Sequence, residues 1–335
     1  MAKTVGVDLG TANTLICMKG SGIVVRSPSV VAINKDTREI ITQGEEAKRM
    51  MGRTPKGILA LRPLQDGVIT DAEVTAGMLR NYFRHIGALS TFSRPLVIAS
   101  IPYGVTEVEK RAVEDAAFEA GARRVSLIEE PLAAALGTGL PLGGPKGTMI
   151  VDIGGGTTEV AVISMGGIIA SNSIRVAGDE LDEAIVSHLR QTRGVLVGPA
   201  TAELLKIRIG TAHQEIHRGT LGVSGMSLQR RMGVTMEVAS EEILEAMAKE
   251  LDQIIMVIKQ TLEQTPPELS SDLYDFGIML TGGGAMIPGL SRLIYERTGL
   301  KVQIAKRPME SVCNGILRVI NHPEGPEAFL KYRER

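Results

Sequence analysis

The sequence contains the same local pattern twice, 144 positions apart, and this repeat limits the folds that the chain can adopt. Each copy consists of an apolar strand with an aspartate near its end, a glycine turn with threonine, and a second apolar strand. The first copy covers residues 4–18, with Asp8 and Gly10, and the second covers residues 149–164, with Asp152. Two apolar runs separated by a short glycine turn predict a hairpin. The repetition therefore predicts a duplicated architecture.

Short apolar strands alternate with helical segments between and after the two hairpins, which predicts an α/β fold. Strands are expected at 95–101 and 124–128. Helices are expected at 106–121, where Thr106 and Glu109 form a capping box, from Pro131 after Glu130, and from about residue 240 to the residue before Pro266. A third glycine turn follows a strand within 277–289 and precedes a helix at 290–298.

Composition and charge exclude several classes of protein. The 37 Lys and Arg residues against 38 Asp and Glu residues give a formal charge of -1, without the basic excess that nucleic-acid binding requires. Two cysteines, Cys17 and Cys313, are too few for a disulfide framework and favour a reducing cytoplasm. We find no leader-like segment and no run of 18 apolar residues, so we expect a protein that is neither secreted nor membrane-spanning.

Glycine turns at strand ends are suited to phosphate binding, because the backbone can approach an anion closely and its N–H groups form a concave nest. An aspartate at such a strand end requires a hydrogen-bond partner or a cation, and Mg²⁺ between carboxylates and phosphates would supply one. Two other interpretations remain open from the residues alone. The glycines could simply reverse the chain, and Asp8 and Asp152 could simply cap their turns.

Other nucleotide and metal signatures are missing from the sequence. The third turn lacks the G-x-G-x-x-G of dinucleotide-binding folds, and no G-x-x-x-x-G-K-[ST] phosphate loop occurs. The five histidines have no zinc-site spacing, and only His213 and His217 are four residues apart. We expect these two to be solvated surface residues.

Five segments in order resemble the motifs of actin-superfamily ATPases, and the chain as a whole resembles the bacterial actins of the MreB/Mbl family. The segments are 5–14 and 150–162 for the two phosphate motifs, 127–137 and 311–320 for the two connecting motifs, and 280–290 for the adenosine motif. Segments 67–71, 178–182 and 265–269 also resemble the family. The resemblance implies an α/β, duplicated actin-like ATPase fold with two lobes, each with a core sheet flanked by helices and a smaller peripheral subdomain.

The resemblance also implies four subdomains. They are a first core subdomain at 1–32, 72–142 and 315–335, a first peripheral subdomain at 33–71, a second core subdomain at 143–178 and 240–314, and a second peripheral subdomain at 179–239.

Functional residues follow from the resemblance only where the family's motifs are present, and it implies ATP and Mg²⁺ as ligands. Asp8 and Asp152 would hold the metal through water. Glu130 and Thr157 would orient the attacking water, with Glu129 the weaker candidate. The implied nucleotide-binding residues are Gly10, Thr11, Ala12, Asn13, Gly154, Gly155, Gly156, Thr157, Glu203, Lys206, Gly282, Gly283, Gly284 and Ala285.

The chain departs from the family pattern at two places. The second connecting helix reads Gly315-Ile-Leu317 where the family usually has Gly-x-Gly, which leaves open how closely this helix can approach its neighbours. The segment 210–236 also differs from the family's usual sequence, and we expect exposed strands and loops there.

The resemblance implies a weak ATPase whose hydrolysis regulates assembly into filaments, which organise cell-wall synthesis and maintain rod shape. The implied location is the cytoplasm, at the inner face of the cell membrane. The implied partners are further copies of this chain, proteins of the cell-wall elongation complex, and the membrane surface, contacted through Leu89 and Phe92.

Two other functions use the same kind of ATP cradle. A sugar-kinase-like phosphotransferase would need a sugar pocket with an Asp as base, and such chains are usually longer. A chaperone-type ATPase would need a substrate-binding domain after the last core motif, whereas this sequence stops at Arg335.

Overall fold

The structure of the chain, a computed structural model, describes residues 3–90, 93–324, 330 and 333–334. Its strands are β1 Thr4–Leu9, β2 Asn13–Met18, β3 Gly22–Pro28, β4 Val31–Asn34, β5 Ile40–Gln43, β6 Ile58–Leu61, β7 Leu64–Gln65, β8 Val68–Ile69, β9 Leu96–Ile101, β10 Arg124–Glu129, β11 Thr148–Ile153, β12 Thr158–Ser164, β13 Gly167–Ile174, β14 Val195–Leu196, β15 Thr220–Ser227, β16 Gly233–Ala239, β17 Ile278–Thr281, β18 Val302–Ile304 and β19 Arg333–Glu334.

Its helices are α1 Glu45–Met50, α2 Ala72–His85, α3 Glu107–Glu119, α4 Glu130–Thr138, α5 Gly178–Arg193, α6 Pro199–Ile209, α7 Ser240–Glu263, α8 Pro267–Phe276, α9 Leu290–Thr298 and α10 Ser311–Asn321. The chain divides into two units. The first comprises the described residues of Met1–Pro145, Ile163–Ile168 and Met309–Arg335, and the second comprises Lys146–Val162 and Ile169–Pro308.

The first unit is built on a six-stranded sheet in the order β19-β10-β9-β1-β2-β3. Strand β1 pairs antiparallel with β2 and parallel with β9, and β9 pairs parallel with β10. Strands inside such a sheet are covered on both faces and therefore carry continuous apolar runs, as Val5, Ile16 and Val97 show by their complete burial.

The second unit is built on a five-stranded sheet in the order β13-β12-β11-β17-β18. Strand β11 pairs parallel with β17, and β17 pairs parallel with β18. Val151, Val160 and Leu280 from three adjacent strands are completely buried in its core.

The two sheets repeat one topology, which confirms the predicted duplicated α/β fold. In each sheet the hairpin strand that ends near an aspartate, β1 or β11, lies in the middle. Its hairpin partner and a third consecutive strand follow on one side, and two later parallel strands follow on the other. Smaller sheets are formed by β5-β4-β6 and by β14-β15-β16.

Local signals predicted several helices because their ends are encoded nearby in the sequence. The capping box of α3 is present, since the Thr106 side chain accepts from the Glu109 N–H and the Glu109 carboxylate accepts from the Thr106 N–H. Helix α7 has nearly the predicted bounds and buries one apolar face, including Ile243, Met247 and Ile254. Helix α9 has the predicted bounds.

Helices α4 and α10 approach each other so closely that two glycines are required at their contact. A Cβ atom added to Gly315 would lie 1.7 Å from the Ala133 carbonyl oxygen, and one added to Gly137 would lie 1.8 Å from the Ser311 carbonyl oxygen. Leu317 does not obstruct the contact, because it is half-buried and lines a surface cavity together with Asn314 and Arg318. The close approach therefore depends on Gly315 and not on a glycine at position 317.

We expect Gly315→Ala to destabilise the protein by about 3 kcal/mol or more. Alanine gains about 1 kcal/mol of helix propensity over glycine, but a methyl group 1.7 Å from a backbone oxygen forces the two helices apart. The measurement is the free energy of unfolding in denaturant. Gly143→Ala is the matched control, since a Cβ there meets nothing within 4 Å, and equal stability of the two variants would contradict the assigned contact.

The expectation that His213 is solvated is wrong. His213 is only 7% exposed, and its Nε2 lies 3.2 Å from each carboxylate oxygen of Glu296 on α9. A Cβ atom on Gly289 would lie 2.7 Å from the His213 Cβ, so the histidine packs directly against the segment that leads into α9. His217 is exposed, as expected, with 66% of its side chain accessible.

Among the described residues, no helix has both the length and the apolar character needed to cross a lipid bilayer. Cys17 and Cys313 are buried free thiols in the first unit, and the Cys17 thiol donates to the Cys313 carbonyl oxygen over 3.5 Å.

Candidate functional site

The first glycine turn joins β1 to β2 in the first unit. The Gly10 N–H donates to the Asn13 carbonyl oxygen over 3.1 Å, and a Cβ on Gly10 would lie only 2.8 Å from that oxygen. Ser29 supports the turn from outside, because its hydroxyl donates to the Gly10 carbonyl over 2.6 Å and its N–H donates to the Ala12 carbonyl over 3.0 Å. The turn is thus tight and held at two points.

Thr11 in this turn is buried and connects it to a neighbouring segment. Its Oγ1 accepts a hydrogen bond from the Gly67 N–H over 2.9 Å. Gly67 begins the segment 67–71 that resembles the MreB/Mbl family. Because a hydroxyl can accept and donate at once, the Thr11 O–H remains able to donate to a further acceptor.

The Asp8 carboxylate accepts a hydrogen bond from a neighbouring strand, and its ionised form is electrostatically unfavourable. The Ser100 hydroxyl donates to its carboxylate over 3.1 Å. The side chain is partly accessible, yet burial raises its pKa to about 7, against the smaller opposing effect of Ser100. A nearby cation would favour the ionised form, so this carboxylate is suited to a cation site.

The second glycine turn joins β11 to β12 in the second unit and repeats the geometry of the first. The Gly154 N–H donates to the Thr157 carbonyl oxygen over 2.9 Å, which matches the Gly10–Asn13 bond. Asp152, near the end of β11, is buried with 8% of its surface exposed. Thr157 is half-buried and closes the turn.

The beginning of helix α5 lies against the second turn. The Gly178 N–H donates to the Gly154 carbonyl over 3.2 Å, and the Asp179 N–H donates to the Gly155 carbonyl over 2.7 Å. A Cβ on Gly178 would lie 3.2 Å from the Gly154 oxygen. Glycine at this position therefore allows the helix to approach the turn closely.

The Lys206 side chain on α6 contacts the beginning of α5 at the second turn. Its Nζ donates to the Gly178 carbonyl over 2.5 Å and lies 2.9 Å from Asp182 Oδ1. Glu203 lies one turn earlier on α6 and is half-buried. The structure thus brings Lys206 to the second turn, together with Asp182, a residue that sequence reasoning did not assign to the site.

The third turn, between β17 and α9, adjoins the end of β11. Gly282 has a φ of +80°, and a Cβ there would lie 2.3 Å from the Ile153 carbonyl oxygen and 2.4 Å from Asp152 Oδ1. A Cβ on Gly284 would lie 2.3 Å from the Ile153 side chain, and Ala285 is fully buried behind it. Gly282 and Gly284 therefore permit a packing against β11 that other residues would prevent.

Glu130 occupies the predicted junction in the first unit, as the first residue of α4 directly after β10 and before Pro131. Its neighbour Glu129 ends β10. The hydrogen bond to Glu107 is the main cause that raises the pKa of Lys110 on α3, and the Glu129 charge adds to this effect. Glu130 remains the candidate for a catalytic role.

The predicted site residues are divided between the two units. The first unit holds Asp8, Glu130 and the turn 10–13, and the second holds Asp152, the turns 154–157 and 282–285, and the pair Glu203 and Lys206. Over the described part of the chain, no three His, Cys, Asp or Glu side chains gather as a metal cage. Mg²⁺ does not require such a cage, because it keeps several of its waters and is commonly held through one or two carboxylates.

The profile of the MreB/Mbl protein family matches residues 2–327. This chain belongs to the MreB/Mbl family. It is 47% identical over 315 residues to the cell shape-determining protein MreB of Escherichia coli K12, covering 92% of this chain and 90% of that protein. It is 43% identical over 314 residues to the cell shape-determining protein Mbl of Bacillus subtilis 168, covering 94% of each.

Solved structures of the family share the fold. The structure of MreB 5 of Spiroplasma citri bound to AMPPNP has a TM-score of 0.91 and 34% sequence identity, with 96% of each chain covered. The same protein bound to ADP gives a TM-score of 0.90. The predicted actin-like fold is therefore confirmed for this member of the MreB/Mbl family.

Proposed function

We propose that this protein is an ATP-dependent, filament-forming bacterial actin in which nucleotide hydrolysis regulates assembly. The observation that carries the proposal is the repeated turn, with Gly10 bonded to Asn13 and Gly154 bonded to Thr157, each beside a strand-end aspartate. Membership of the MreB/Mbl family supports it, since relatives are named cell shape-determining proteins and one has been solved with AMPPNP and with ADP.

Each turn has a chemical task in this proposal. The backbone N–H groups of 10–13 and 154–157 bind phosphate oxygens, while Glu203, Lys206 and the turn 282–285 bind the nucleoside. Asp8 and Asp152 would hold Mg²⁺ through water. The metal, when bound, would supply positive charge to the phosphate oxygens as negative charge develops on them.

Hydrolysis requires a water molecule to be oriented toward the terminal phosphate. Glu130 accepts a proton or hydrogen bond from this water, and the Thr157 hydroxyl fixes its direction. Phosphoryl transfer leaves positioning and electrostatic stabilisation as the protein's main contributions, and orienting the water is the contribution of these two residues.

The proposed role in the cell is to organise cell-wall synthesis and maintain rod shape from the cytoplasmic face of the inner membrane. Copies of this chain and proteins of the cell-wall elongation complex are the proposed partners. Head-to-tail contacts between copies generate a filament when they do not close into a ring.

Membrane contact is proposed through the loop that contains Leu89 and Phe92. Leu89 is partly buried and packs against the core of the first unit, close to Gly121, so little of its side chain is available to lipid. Phe92 lies outside the described residues. Sedimentation with anionic liposomes should therefore decrease in Phe92→Ser, and equal sedimentation would exclude this loop as the anchor.

Light scattering tests the proposed function directly. Addition of Mg-ATP should increase scattering above a threshold protein concentration, with no second substrate present, and EDTA should prevent the increase. A phosphotransferase would instead consume ATP only after addition of an acceptor such as a sugar. Absence of assembly at every protein concentration, together with acceptor-dependent ATP consumption, would overturn the proposal.

A further inference from the structure

The ion pair between Asp182 and Lys206 joins two helices at the second glycine turn. Lys206 is on α6 and Asp182 is on the first turns of α5, and both side chains are only 12% exposed. The Lys206 ammonium also bonds the Gly178 carbonyl, and Gly178 is itself bonded to the Gly154 carbonyl. Contacts thus run without a gap from Asp182 through Lys206 and Gly178 to the turn.

The surroundings of Asp182 disfavour its ionised form, which is unexpected for a residue with a purely structural role. Burial raises its pKa to about 6, although Lys206 acts in the opposite direction. The acidic groups Glu203 and Asp179 face it as well and raise its pKa further. Burying a carboxylate among other acids weakens folding at neutral pH, and such arrangements are concentrated at functional sites.

The direction of the Lys206 side chain depends on this carboxylate. Lysine has a flexible four-carbon stem and three equivalent donors, so its ammonium takes a defined position only where acceptors hold it. Two groups do so here: the Gly178 carbonyl oxygen accepts its hydrogen bond, and Asp182 Oδ1 forms an ion pair with it. Of these, only Asp182 carries charge, and only its charge can change with pH.

We propose that Asp182 is a positioning residue for nucleotide binding, which holds the Lys206 ammonium at the second glycine turn and thereby sets the affinity for the nucleotide. The inference rests on the proposed function, because it assumes that the turn and Lys206 bind a nucleoside phosphate. Asp182 acts through Lys206 and makes no contact with the nucleotide in this account.

The consequence is an affinity that depends on the ionisation of Asp182. When Asp182 is ionised, Lys206 is held in place and the nucleotide binds tightly. When Asp182 is protonated at acid pH, the ion pair is lost and Lys206 can leave the turn. The binding of nucleotide should therefore weaken as the pH falls through about 6.

The test is fluorescence titration of mant-ADP in the presence of Mg²⁺, with wild-type protein, Asp182→Asn and a control. At pH 7.5 we expect Asp182→Asn to raise the Kd about tenfold, in line with the loss of one charge-assisted contact. Glu183→Gln removes one acidic charge from an exposed position on the same helix and should leave the Kd unchanged.

The pH profile separates positioning from a structural role. The ratio of the Asp182→Asn Kd to the wild-type Kd should fall from about 10 at pH 7.5 to about 3 at pH 5.5, because the wild-type residue is then mostly protonated. Titration of Asp8 is common to both proteins and cancels in the ratio. A ratio that is constant with pH would show a merely structural effect and overturn the proposal.

A double-mutant cycle with Lys206→Met gives an independent check. If Asp182 acts through Lys206, Asp182→Asn should have no further effect on the Kd in the Lys206→Met background, with circular dichroism confirming that each variant is folded. Full additivity of the two effects would contradict the inference. Failure of the wild-type protein to bind mant-ADP would instead contradict the proposed function, and the inference with it.

Discussion

Replacement of Glu130 by glutamine is expected to lower the rate of ATP hydrolysis by about 10²–10⁴-fold, the usual contribution of a positioned acid or base. Glutamine has nearly the same shape as glutamate, so nucleotide binding should change by less than about twofold. Glu130 is the first residue of α4, directly after β10, and this junction fixes its backbone. The measurement is release of phosphate under single-turnover conditions, combined with a nucleotide-binding titration.

Glu129→Gln is the matched control for this prediction. It alters the adjacent carboxylate by the same chemistry, but Glu129 is the last residue of β10 and its charge acts on Lys110 of α3. Its hydrolysis rate should remain close to wild type. A normal rate in Glu130→Gln, or an equal loss in both variants, would show that Glu130 does not orient the water.

Asp8→Asn is expected to have two opposite effects, a loss of Mg-ATP affinity and a gain in stability. The affinity should fall by about 10²-fold or more, because a carboxylate that holds the hydrated metal is replaced by a neutral amide. In the ligand-free protein, burial raises the Asp8 pKa to about 7, so the folded state favours the protonated form. Asparagine resembles that neutral form.

The sign of the stability effect follows from the raised pKa. The stabilising contribution of protonated Asp8 is complete below the ordinary value of 3.8 and is lost as the pH rises through about 7. At pH 8 in EDTA, Asp8→Asn should be more stable than wild type by about 2–4 kcal/mol, and the difference should vanish near pH 4.

Thermal and denaturant unfolding of the ligand-free protein at the two pH values measures this difference. Asp36→Asn, which removes a charge from an exposed residue of the same unit, should alter neither stability nor Mg-ATP affinity. Full Mg-dependent affinity in Asp8→Asn would exclude Asp8 from the metal site, and a loss of stability at pH 8 would contradict the raised pKa of Asp8.

Features encoded by neighbouring residues could be predicted from the sequence. The hairpins around Gly10 and Gly154 and the capping box of Thr106 and Glu109 are local, and the structure contains all of them. The duplicated fold followed from the repeat. The adjoining positions of Gly282 and Asp152 could not be derived from spacing, because the parallel pairing of β11 with β17 joins residues more than 100 positions apart.

Side-chain environments that depend on distant elements were predicted less well. His213 and His217 lie only four residues apart, but of the two only His213 is covered, by the Gly289 segment and by Glu296 on α9. The pairing of Asp182 with Lys206 was missed for the same reason. Segment 178–182 resembles the MreB/Mbl family in sequence, but this resemblance does not indicate Lys206. Lys206 lies on another helix, and only the packing of α5 against α6 brings it to Asp182.

The departure at Leu317 shows how a substitution can be neutral for packing. In the sequence, the missing second glycine of Gly-x-Gly left the approach of α10 open. The structure places the close contact at Gly315 and Gly137, while Leu317 faces a surface cavity. Which of two glycines contacts a neighbouring backbone depends on the rotation of the helix, and that is set by the core.

A crystal structure of the protein grown with Mg²⁺ and AMPPNP would show whether the two glycine turns bind the nucleotide. We expect phosphate oxygens bonded to backbone N–H groups of both the 10–13 and the 154–157 turns, with Asp8 and Asp152 contacting waters of the metal. Nucleotide bound elsewhere, or either carboxylate turned away from the metal, would contradict it.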